Sequence, residues 1–226
     1  MRRYVSKHPA VPYVAPFATF ILLLGVEGYL PFGPEVAYPV RFGVVAVVMW
    51  LFSRNVITWR APQMAGSIAV GVAVFVIWVG PDVVWPQYRE HWLFQNPIFG
   101  RLKADAPASL KSNVVFLIFR SLGCFALVPM LEEIFWRGWL ARWLIDGVDF
   151  ERIPLGAYTA ASFWIGSALF AAEHGPYWEV GLLAGILYNW WMIRTKNLAN
   201  CIVAHAVTNA LLTAYVLVGD KWRYWL

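Results

Sequence analysis

Residues 114–145 read VVFLIFRSLGCFALVPMLEEIFWRGWLARWLI. A helix needs ~20 mostly apolar residues to cross the ~30 Å hydrocarbon core of a bilayer, and this run exceeds that length. It also holds two adjacent carboxylates, Glu132 and Glu133, and an arginine, Arg137. Charges are costly in hydrocarbon, so ionisable residues inside a span mark a functional site by default. Working outward, six more apolar runs follow the same logic: Val11 to Leu30, Val36 to Phe52, Ala61 to Gly80, Tyr158 to Ala172, Val180 to Ile193 and Leu198 to Val218. The run from Val180 is short, and the run from Val114 can break into two helices at Pro129, where the ring removes a backbone donor. The expectation is therefore seven or eight spans.

Composition agrees with this reading. Hydrophobic residues make up 60% of the 226-residue chain and charged residues 14%, against ~45–50% and ~25% for an ordinary soluble domain. A soluble globule of this make-up would expose large apolar patches, and a porin would alternate polar and apolar positions. The fold class expected is all-α: a polytopic transmembrane helical bundle, one membrane domain over 1–226, with its chemistry within 114–218. The net charge is +5, but the basic residues are scattered through short loops. They read as topological signals rather than a nucleic-acid surface, and the bias favours a cytoplasmic N-terminus. The basic start, Met1 to His8, is read as leading into a retained first span rather than a cleaved signal. Cys124 and Cys201 sit in apolar runs and read as buried core residues. The long connection Pro81 to Asn113 alternates Trp85, Tyr88, Trp92, Phe94 and Phe99 with Arg89, Glu90, Arg101 and Lys103. That mix suits the membrane–water interface. Arg41 and Arg120 are expected to pair with Glu27 and Glu35, with selective binding of substrate as the alternative.

The polar residues of the second half carry the chemistry. Glu133 and Arg137 are four apart, acid before base, and can form an ion pair. Glu132 is rotated ~100° from Glu133 and is left for another partner. His174 closes an apolar helix one turn after Phe170, and His205 and Asn209 share one face of the last span. Each has a bland alternative: a charge cluster at a helix end, an interfacial histidine, or hydrogen-bonding between helices. Together they form a complete set for hydrolysis. A carboxylate and an imidazole can share a water and take its proton. A second imidazole and an amide can donate to a developing oxyanion. No serine–histidine pair sits in a nucleophile elbow, and no His-Glu-x-x-His zinc helix is present.

These residues resemble the CPBP family, the type II CAAX prenyl endopeptidase-like or Abi intramembrane proteases. Its pattern is Glu-Glu-x-x-x-Arg, then Phe-x-x-x-His, then His-x-x-x-Asn or Asp on successive helices. Glu132-Glu133-x-x-x-Arg137, Phe170-x-x-x-His174 and His205-x-x-x-Asn209 match all three in order. The resemblance implies a glutamate-type protease in which Glu132 and His174 activate water. His205 and Asn209 would then form the oxyanion hole, and Glu133 and Arg137 would fix the Glu132 helix. It implies no cofactor, with zinc held by two Glu and two His as the alternative. The chain also looks similar to a CAAX-protease-related branch that accompanies exosortase-type C-terminal sorting systems. Its bacterial look implies a multi-pass protein of the inner (cytoplasmic) membrane acting on a non-prenylated membrane protein or peptide.

Two other classes compete: a non-catalytic immunity or scaffold partner, and a small transporter or proton relay. Simple up-and-down threading also places Glu132 towards the cytoplasmic half and His174 near the outer end of the following span. The protease reading requires them to meet.

Overall fold

The computed structural model describes residues 8–57, 59–102 and 105–225. Seven helices of 13 residues or more lie among them: α1 Val11–Val26, α2 Pro34–Phe52, α3 Met64–Val84, α4 Val114–Trp143, α5 Ala160–Ala172, α6 Trp178–Thr195 and α7 Leu198–Gly219. A 3₁₀ turn extends α1 to Tyr29. Every apolar run of the sequence has become one of these helices. Five of them, α1 with its extension, α2, α3, α4 and α7, are long and apolar enough to cross a membrane. The short α5 has 13 residues, and α6 is interrupted by Glu179, Asn189 and Arg194. Leu22, Val47, Trp50 and Val76 are each more than half exposed. This is the apolar outer surface of a membrane bundle. The basic start before His8, with Arg2, Arg3 and Lys7, lies outside the described residues, as does Lys103.

The bundle closes where small residues let backbones approach. A Cβ on Gly71 of α3 would stand 2.4 Å from the Ala204 carbonyl of α7. At the same crossing the Thr208 hydroxyl donates to the Gly71 carbonyl at 2.8 Å and accepts from Tyr188 at 2.7 Å. Gly71→Ala is therefore expected to cost ~1–3 kcal/mol through overpacking. Denaturant unfolding of the purified protein in detergent checks it, and an unshifted midpoint would show that α3 and α7 part without cost.

The run at Pro129 forms one helix, and the reason lies in a change of register. Two π segments, Gly123–Leu127 and Ile134–Leu140, flank the proline inside α4. In the first, Val128 donates five residues back to the Gly123 carbonyl. The next donor in that register would be Pro129, which has no N–H, so the Cys124 carbonyl goes without. The Asn209 amide of α7 supplies the missing bond at 2.9 Å. An outside side chain thus completes the helix across its proline.

The long connection departs from an interface belt. Trp85 and Trp92 are exposed as such a belt requires, but Arg89 is only 2% exposed. Its guanidinium meets Asp82 at 3.0 Å, Glu179 at 2.8 Å and the Pro176 carbonyl at 2.8 Å. Tyr224 also donates to Asp82 at 2.7 Å. Burial, and then the Asp82 contact, raise the Tyr224 phenol above its ordinary range, so it remains the donor. One buried arginine therefore ties the end of α3 to the turn before α6, and its partner Asp82 holds the C-terminal turn. Arg41 pairs with Glu27 as expected. Arg120 does not take Glu35. It donates to the Trp225 carbonyl at 2.6 Å and lies over the Tyr38 and Trp225 rings, because the C-terminal turn folds back onto α4. Both cysteines are buried and free.

Candidate active site

The helix α4 carries Glu132 and Glu133 between its two π segments. Such insertions shift the facing of later side chains by part of a turn and are frequent at functional sites. Glu133 is fully buried. Its Oε1 accepts from Arg137 at 3.2 Å and from His205 Nδ1 at 2.9 Å. Arg137, 1% exposed, also donates to Asn189 at 3.0 Å and to the Gly185 carbonyl at 3.3 Å. Asn189 passes the contact on to Ser167 and the Phe163 carbonyl. The four-residue spacing has thus formed its ion pair, and that pair reaches α5, α6 and α7 together.

Glu132 faces elsewhere. It is 7% exposed, and its Oε2 is buried without a hydrogen-bond partner in the protein. One of its carboxylate oxygens, a carboxylate oxygen of Glu173 and a ring nitrogen of His174 all lie within 4.8 Å of one another. Glu132 and His174 therefore meet despite simple threading. At ~1.5 Å per residue the 30-residue α4 exceeds the bilayer core, so depth along it does not follow from counting. The 13-residue α5 stops short of a full span. Beyond His174, Gly175 takes φ +52°, a left-handed conformation that glycine adopts without strain, and the chain turns there into α6. The Arg89 contact to Pro176 holds that turn.

His174 Nδ1 lies 2.7 Å from the Phe170 carbonyl. A carbonyl only accepts, so Nδ1 carries the proton and Nε2 of the neutral ring offers a lone pair. The Phe170 ring lies 4.7 Å from that of His174 and 6.1 Å from that of His205, and Tyr188 stacks on His205 at 5.0 Å. His205 is committed to Glu133 through one nitrogen, and Asn209 to the Cys124 carbonyl through one N–H. Among the described residues no hydrogen bond joins either of them to Glu132 or His174. Chemically, the Glu132 carboxylate and the His174 Nε2 offer two acceptors for one water.

Glu173 and Asn189 had no assigned role in the sequence reading. Glu173 stands beside His174 but falls at an unspecified position of the motif. Asn189 is uncharged and sits in an apolar run, so a search for ionisable residues passes over it. Glu133 and His205 bind each other. Among the described residues, the group able to hold an ion is Glu132, Glu173 and His174.

Residues 113–211 match the family model described as type II CAAX prenyl endopeptidase Rce1-like. This stretch, somewhat under half of the chain, contains all three motifs and runs from the start of α4 into α7. The resemblance first read from seven residues thus extends over the helices that carry them, and the matched family is named for an endopeptidase. No curated protein and no solved structure matches the chain.

Proposed function

We propose, with the Rce1-like match of residues 113–211 as premise, that the chain is an intramembrane endopeptidase that cuts a membrane-associated protein or peptide with a water activated by Glu132 and His174. The observation that carries this reading is the approach of the Glu132 carboxylate to the His174 ring inside an apolar bundle. Glu132, with an unpartnered oxygen, takes a proton from the water. The His174 Nε2 lone pair accepts the water's other hydrogen. The resulting hydroxide attacks the scissile carbonyl, and the tetrahedral intermediate collapses with cleavage of the C–N bond as protonated Glu132 returns its proton to the leaving amine. Asn209 retains a second N–H for the oxyanion. His205 would donate from Nε2, which requires protons on both ring nitrogens because Nδ1 already donates to Glu133. Oriented donors in a dry site are typically the largest single contribution to such catalysis.

Glu132, Glu173 and His174 also fit a catalytic zinc by donor type, three protein ligands with a position left for water. A bound ion would polarise the carbonyl and acidify that water. The proposal is metal-free hydrolysis, since the carboxylate and imidazole supply the proton acceptors themselves. The setting is the inner membrane, and a substrate delivered by an exosortase-type sorting system accords with the similarity noted above.

Purified protein in lipid vesicles, given a membrane-anchored reporter peptide, tests this reading. Cleavage should persist in chelator and fall ~10²-fold or more in His174→Ala. Stoichiometric zinc whose removal stops turnover would return the metal reading. Undiminished cleavage by His174→Ala would sink the role given to His174.

A further inference from the structure

We propose that Glu173 is the specificity-determining residue of this site and receives a cationic side chain, Lys or Arg, beside the scissile bond. The inference rests on the reading above, in which Glu132 and His174 hold the water. Glu173 is exposed, whereas Glu132 within 4.8 Å of it is buried with an unpartnered oxygen. A group arriving at Glu132 from outside therefore meets Glu173 first. Its Oε1 accepts from Trp136 Nε1 at 3.0 Å, which fixes the carboxylate in place. No described lysine or arginine forms an ion pair with it, and Arg137 is committed to Glu133, Asn189 and Gly185.

The surroundings are apolar: Ala172 is exposed beside Glu173, and Leu169 one turn back is 45% exposed. A lone carboxylate at the end of an apolar helix is expensive in a membrane protein. A substrate cation would offset that cost through a charge-assisted hydrogen bond, strong where water is scarce. Position 173 is unspecified in the Phe-x-x-x-His pattern, so hydrolysis itself does not call for a carboxylate there.

The experiment uses membrane-anchored peptides in vesicles that differ at one residue flanking the cleaved bond: Lys, Arg, norleucine or Glu. Wild type should cleave the basic peptides with kcat/KM ~10-fold or more above the norleucine peptide, the scale of a desolvated charge pair. Glu173→Gln should level that preference, and Glu173→Lys should turn it towards the Glu peptide. Glu173→Asp, which keeps the charge, should keep the preference if Glu173→Gln folds poorly. Binding of fluorescent Lys and norleucine peptides to Glu132→Gln protein reads the same preference without turnover. Equal rates and equal binding for charged and neutral peptides would overturn the proposal, as would a preference that survives Glu173→Gln. So would a stoichiometric divalent ion lost in Glu173→Gln, which would make Glu173 a metal ligand. Wild-type turnover by Glu132→Gln would instead overturn the parent reading.

Discussion

Glu132→Gln protein is expected to fold as wild type does and to turn over ~10²–10⁴-fold more slowly, the usual cost of losing a general base. The amide keeps the size and shape of the side chain but cannot take a proton. Folding survives because Glu132 forms no ion pair in the bundle. The acidic partner of Arg137 and His205 is Glu133, one residue on and facing another way. Burying a carboxylate with an unpartnered oxygen is unfavourable, so the neutral amide can even raise the unfolding midpoint slightly. The measurement pairs cleavage of a membrane-anchored substrate with thermal unfolding and metal analysis of one sample. Full turnover by Glu132→Gln removes Glu132 from the mechanism. Loss of turnover accompanied by loss of bound zinc assigns it to a metal instead.

Arg137→Ala is expected to be the most destabilising single change, by ~3–5 kcal/mol, because it leaves a partner charge buried and unpaired. Total stabilities are only ~5–15 kcal/mol, so folded yield should fall as well. The guanidinium reaches Glu133, Asn189 and the Gly185 carbonyl, and all three lose a donor at once. A double change, Glu133→Leu with Arg137→Met, removes both charges and should recover much of the stability. It should not recover turnover, because His205 then lacks the carboxylate that holds its ring. Unfolding midpoints and cleavage rates of the two variants check this. An Arg137→Ala protein with an unshifted midpoint would show that Arg137 is not the structural hub.

The helical architecture was legible because it rests on local, additive quantities. Apolar length and the cost of unpaired backbone groups in hydrocarbon leave a chain like this little besides helices. The boundaries of α2 and α7 accordingly fall within two residues of the sequence expectation. The Glu133–Arg137 pair was legible for the same reason, since a four-residue spacing fixes a helix face. Contacts between distant residues were not. Arg89 sits in a stretch that reads as an interface belt. Its burial depends on Asp82, Pro176 and Glu179 arriving from three elements. Asn209 reads as an oxyanion donor by resemblance or as a hydrogen bond between helices, but that it serves the Cys124 carbonyl follows from a π register meeting a proline 80 residues earlier in the chain. Glu173 looks incidental beside His174 until α4 brings Glu132 against it. Residue type and spacing along one helix thus determined the spans and the paired charges. Which oxygen is shared, which carbonyl is left over and which carboxylate stands open were decided by tertiary structure, because a hydrogen bond depends on separations of a few tenths of an ångström between helices.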